Sequence, residues 1–83
     1  MTVYERFLLD LPGVEQTEVS RTTDGLPYVT IYATERMQRV TVTYLPRRSR
    51  FRITAVLGPE EVRWDYMEPR LVREKIEALR KEE

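Results

Sequence analysis

Six arginines, at positions 36, 39, 47, 48, 50 and 52, fall between Arg36 and Pro59, a stretch without a single acidic residue. Acids predominate on either side, six against two arginines in residues 1–35 and eight against six basic residues in 60–83. Guanidinium forks pair with carboxylates and phosphates through two parallel hydrogen bonds, so the chemistry this stretch offers is anion recognition. Bond-making chemistry has few candidates. The chain contains neither histidine nor cysteine, which removes the commonest general base, the thiolate nucleophile and the preferred soft metal ligands. Its three glycines lie in separate turns and build no phosphate loop or dinucleotide fingerprint, and no nucleophile–base set is recognisable. The expectation is a non-enzymatic protein without a cofactor. Glu60, Glu61, Asp65 and Glu68 could offer oxygen ligands to a divalent cation. They lack the spacing of a calcium loop, and acids near a helix start are ordinary, so no metal is assigned.

The elements that must hold the arginines alternate with period two. Val29, Ile31 and Ala33 alternate with Tyr28, Thr30, Tyr32 and Thr34, and Val40, Val42 and Tyr44 alternate with Arg39, Thr41, Thr43 and Leu45. Phe51, Ile53, Ala55 and Leu57 alternate with Arg50, Arg52, Thr54 and Val56. Three half-buried strands of an antiparallel meander follow. A four-residue loop over 46–49 sets Tyr44 opposite Phe51, Val42 opposite Ile53 and Val40 opposite Ala55. A second four-residue loop over 35–38 would set Ala33 opposite Val40, Ile31 opposite Val42 and Val29 opposite Tyr44. In these registers the outer face carries Tyr28, Leu45 and Arg50 in one row, Thr30, Thr43 and Arg52 in the next, and Tyr32, Thr41 and Val56 in a third. An edge strand around Glu15 to Thr22 precedes them. Asp24-Gly25 invites a two-residue turn, but that register would turn Glu18 inward, so a five-residue loop over 23–27 is expected, with Val19 opposite Ile31.

Thr2 and Glu5 have capping-box spacing, and Val3, Phe7, Leu8 and Leu11 recur as on a helix that Pro12-Gly13 ends. Gly58-Pro59-Glu60-Glu61 reads as the start of a short helix, although Val62, Trp64 and Tyr66 alternate as in a strand. Pro69 opens the last helix, to about Lys81, with Leu71, Val72, Ile76 and Leu79 inward. Trp64 and Tyr66 are expected where the sheet meets that helix. The expected fold is α+β, a single domain over residues 1–83. In it a four-stranded antiparallel meander carries the N-terminal and C-terminal helices on one face, with a short helix before the last.

Length and composition agree with one small core. The chain has 83 residues, zero net charge and 41% hydrophobic residues, which describes neither a disordered chain nor a globally basic one. No apolar run approaches the length of a membrane span and no export signal opens the chain, so a cytoplasmic location is expected. Twelve arginines to two lysines and the absence of asparagine and cysteine fit a thermophilic protein, and equally a GC-rich genome.

The helix–strands–helix order is similar to that of double-stranded RNA-binding domains, in topology alone. The resemblance would imply RNA binding through a basic start to the last helix. Pro69 to Arg80 instead mixes both signs and follows Glu60, Glu61 and Glu68, so no family is assigned. The residues expected to meet a partner are Arg39, Arg47, Arg48, Arg50, Arg52, Tyr28, Tyr32 and Leu45. Arginine and tyrosine are enriched at protein interfaces, and an acidic protein surface is the first expectation, for an accessory or inhibitory protein. A single-stranded or structured nucleic acid is the alternative, since tyrosine faces stack on bases and arginines neutralise phosphates. A homo-oligomer packed through Tyr28, Tyr32, Leu45 and Val56 is a third possibility. The plainest reading is a solvated sheet face.

Overall fold

The computed structural model describes residues 1–31 and 37–81. Helix α1 (Val3–Leu9) leads into strands β1 (Ser20–Arg21), β2 (Pro27–Ile31) and β3 (Met37–Leu45). A 3₁₀ turn over Pro46–Arg48 joins β3 to β4 (Arg50–Leu57), and β5 (Glu60–Tyr66) and helix α2 (Pro69–Lys81) follow. The strands form one antiparallel sheet in the order β1-β2-β3-β4-β5. The sheet therefore has five strands, not the expected four, and the segment read as a short helix is β5.

The reason lies in Gly58 and Pro59. Leu57 pairs with Glu60, so the two residues between them are a complete hairpin loop, and Gly58 (φ +60°) holds the positive φ that such turns need at their first central position. The strand that follows sets Val62, Trp64 and Tyr66 opposite Ala55, Ile53 and Phe51. Extending the apolar face of β4 in this way outweighs the local helix-start signal of Pro59, Glu60 and Glu61.

Both helices cover one face of the sheet. Val29, Ile31, Val40, Val42, Tyr44, Phe51, Ile53 and Ala55 are buried there beneath Leu8 and Leu11 at the N-terminal end and Val72, Ile76 and Leu79 of α2. Thr2 caps α1, its Oγ1 accepting from the Glu5 amide at 3.1 Å, and the helix ends at Leu9, two residues earlier than expected. Tyr4 stacks on Tyr44 with ring centres 4.1 Å apart, and Phe7 meets Phe51 edge-on, so an aromatic cluster clamps α1 over β3 and β4. Gly13 makes the turn beneath, at φ +84°, where a Cβ would come within 2.9 Å of Ile31 Cγ2.

Two registers depart from expectation. The β3–β4 pairing is as read, with Tyr44 opposite Phe51, Val42 opposite Ile53 and Val40 opposite Ala55. The β2–β3 pairing is displaced by two residues, since Val42 faces Val29 and Val40 faces Ile31. Strand β3 also begins at Met37, inside the expected loop, with a bulge between Met37 and Arg39. Tyr32, Ala33, Thr34 and Arg36 lie outside the described residues. At the other margin β1 has two residues, with Ser20 opposite Tyr28 and Arg21 opposite Pro27. The turn between is odd-numbered, which keeps the faces in phase, but it closes over 23–25 rather than 23–27, with the Thr22 amide donating to the Leu26 carbonyl at 2.9 Å.

Beyond β1 a side chain continues the ladder. The Gln16 amide oxygen accepts from the Thr30 backbone N–H at 2.8 Å, while its nitrogen donates to the Glu18 carbonyl at 3.0 Å and to Ser20 Oγ at 3.2 Å. One side chain thus gives Thr30 the acceptor that residue 18 would offer if the β1–β2 ladder continued.

Candidate interaction face

The sheet face opposite the helices carries the candidate residues, and the observed registers rearrange them. Tyr28, Thr43, Arg52 and Asp65 form one cross-strand row, and Thr30, Thr41, Thr54 and Arg63 the next. Arg39, Val56 and Glu61 form a third, and Leu45 pairs with Arg50 at the end nearest the 3₁₀ turn. The expected row of Tyr28, Leu45 and Arg50 does not form, because the two-residue displacement moves Tyr28 onto Thr43. Tyr28 is half-buried there, in one row with Arg52 but with Thr43 between them.

Strand β5 brings acids to this face. Arg52 donates from Nε to Asp65 Oδ1 at 3.0 Å and from Nη2 to Asp65 Oδ2 at 3.2 Å, a bidentate fork across β4 and β5. The Arg52 bond holds the Asp65 carboxyl below the usual carboxylate range against the opposing effect of partial burial, and the charges of Arg50 and Arg48 add to it. Arg52 is held more firmly charged in return, chiefly by the same hydrogen bond. Arg63 bonds Glu61 at 3.0 Å, and Arg70 lies 3.5 Å from Glu68. Of the acids weighed as cation ligands, Glu61, Asp65 and Glu68 are thus engaged by arginines. Among the described residues no group of three or more acidic side chains is placed to hold a metal ion.

The positive charge that is left concentrates at one end. Arg47 and Arg48 project from the 3₁₀ turn, closed by Ser49 in the left-handed region (φ +49°), and Arg50 follows it; all three are exposed, and among the described residues none makes an ion pair. Pro46 starts the turn, and the left-handed Ser49 returns the chain into β4, so three cationic side chains within four residues spread around one loop. Beside them lies an open depression lined by Leu26, Leu45 and Pro46 and rimmed by Arg47, Arg48, Arg52 and Asp24. Arg39 stands apart, opposite Val56 at the far end of β3.

Structure and expectation thus agree in bringing Arg47, Arg48, Arg50, Arg52 and Leu45 together. Tyr28 and Arg39 belong to other parts of the face. Glu61 and Asp65, weighed above only as cation ligands, and Arg63 are not expected on this face while Gly58-Pro59-Glu60-Glu61 reads as a helix start; the alternation of Val62, Trp64 and Tyr66 carries the signal that the odd-numbered residues share the arginine face. No helix among the described residues is long and apolar enough to cross a membrane. The chain matches no protein-family model, no curated protein and no solved structure.

Proposed function

We propose that this is a small non-enzymatic binding module that engages an acidic protein surface through the 3₁₀ turn and the adjoining end of the outer sheet face. The observation that carries the reading is the arc of Arg47, Arg48, Arg50 and Arg52, in which, among the described residues, Arg52 alone is paired, to Asp65, and which borders a depression where Leu26, Leu45 and Pro46 lie among charged side chains. A protein partner fits this arrangement better than a nucleic acid. The floor of Leu26, Leu45 and Pro46 suits an apolar side chain flanked by carboxylates, Asp24 on the rim would repel phosphates, and half-buried Tyr28 is no open platform for bases. An accessory or inhibitory role suits a module of this size, and a cytoplasmic setting suits a chain without cysteine.

The test compares the wild-type chain with the triple variant R47E/R48E/R50E in capture from the native host's lysate, with and without nuclease. Arg52 is left unchanged because its reversal would also break the Asp65 fork. A protein held by the wild-type chain and lost by the variant, with nuclease making no difference, is the expected result. Loss of at least about tenfold in affinity is the scale for reversing exposed interface charges. Equal capture by the variant would overturn the reading. Binding of a generic oligonucleotide that falls steeply with salt would replace it with the nucleic-acid alternative.

A further inference from the structure

Among the described residues strand β5 ends the sheet, its seven residues paired with a neighbouring strand on one side only. Its core-side residues Val62, Trp64 and Tyr66 are half-buried, as is Leu71 at the start of α2, so an apolar strip follows the open edge. Lys75 from α2 covers the indole of Trp64 from the helix layer, its Nζ 4.3 Å from the ring centre. A natural sheet blunts such an edge with short strands or with charges that repel another copy. On β5 the charges alternate in sign along the outer face, Glu61, Arg63, Asp65, and so repel a copy in one register and attract it in another.

We propose that β5 pairs antiparallel with β5 of a second copy of this chain, about a two-fold axis at Trp64, to make one continuous ten-stranded sheet. The pairing rules of an antiparallel ladder choose the register. An axis through a residue, rather than between two, sets core-side residues opposite core-side residues and keeps both helix layers on the same side of the joined sheet. An axis at Arg63 would set that arginine opposite itself and Glu61 opposite Asp65, both repulsive. An axis at Val62 would set Glu60 against Trp64 and leave Tyr66 without a partner strand. The axis at Trp64 sets Arg63 opposite Asp65 twice, Val62 opposite Tyr66 twice and Trp64 opposite itself. Each Asp65 then lies between Arg52 of its own chain and Arg63 of the other. This edge meets the arginine arc only at the Arg52–Asp65 fork, so Arg47, Arg48 and Arg50 at the 3₁₀ turn stay free for their partner.

Sedimentation of the intact chain from about one to several hundred micromolar measures the association directly. The expected result is a reversible dimer of twice the 10.0 kDa chain mass, with a concentration-dependent change in emission from Trp64, the sole tryptophan. R63E and D65K, each set like charges opposite one another twice and should each weaken the dimer by about tenfold or more. An equimolar mixture of the two pairs opposite charges again and restores a heterodimer; circular dichroism confirms that each variant is folded. A wild-type chain that stays monomeric over this range overturns the proposal. So does a dimer that both variants retain, or one whose loss in the variants the mixture does not reverse. Neither outcome touches binding by the triple arginine variant, so this proposal and the acidic-partner reading can fail separately.

Discussion

Asp65 joins the two halves of the outer face, since its carboxylate receives the Arg52 fork and lies in the field of Arg48 and Arg50. Its pKa is lower in the folded chain than in the unfolded one, so folding excludes a proton there and the pair adds stability above the ordinary carboxylate pKa. That stability is lost as pH falls through the folded value. Glu5 behaves alike, lowered chiefly by its hydrogen bond from Arg21 at 2.8 Å. Thermal melts of dilute protein should therefore show the midpoint dropping below about pH 4. In D65N the loss should be shallower, with neutral-pH stability lowered by no more than about 1 kcal/mol, the scale of a partly exposed pair. A D65N profile as steep as that of the wild type would show that the acid sensitivity arises elsewhere.

Among the elements, the β4–β5 hairpin depends most on a single residue. A Cβ on Gly58 would meet nothing within 4 Å, so replacing it is resisted by backbone conformation alone. Gly58→Ala should cost about 1–2 kcal/mol, read as a lower urea midpoint in Trp64 fluorescence. At this turn local sequence signals and the tertiary fold disagree. Gly-Pro-Glu-Glu satisfies the rules for a helix N-terminus, and local rules cannot see that β4 presents Phe51, Ile53 and Ala55 for a further strand to extend. The β3–β4 register was legible because the loop length and two alternating patterns agreed on it. The β2–β3 register was not. A slip of two residues keeps every apolar side chain on its face, so alternation cannot detect it, and the bulge between Met37 and Arg39 has no mark in composition. For the same reason the loop length places Arg47, Arg48 and Arg50 together at one end of β3 and β4, whereas alternation alone cannot give Tyr28 its neighbours. The helices were legible from their caps and periodicity, with α2 burying Val72, Ile76 and Leu79 as its spacing implied.

At the scale of the whole molecule, one core serves both helices and four of the five strands, with Phe51 at its centre. Its ring meets those of Tyr4, Phe7 and Tyr44, and it is almost fully buried. Phe51→Ala should cost about 3–5 kcal/mol through lost burial and the cavity left behind. A domain of this length has about 4–12 kcal/mol in all. The variant should therefore lose about a quarter or more of that stability, read as a lower urea midpoint and weaker near-ultraviolet dichroism. An unfolding free energy within about 1 kcal/mol of the wild type would mean that the aromatic cluster does not anchor α1 to the sheet.

The two margins of the sheet are built differently, and the difference governs how far copies could assemble. At one margin the strand is two residues long, and Gln16 already satisfies the next donor in the ladder with its side chain. An incoming strand finds a donor already taken there, whereas β5 presents a full-length template. A sheet able to grow at both margins propagates head to tail without limit and becomes a fibre. A sheet with one margin stoppered and the other self-complementary is complete after a single addition. Gln16, far from any contact between copies, would thus be what makes the assembly finite.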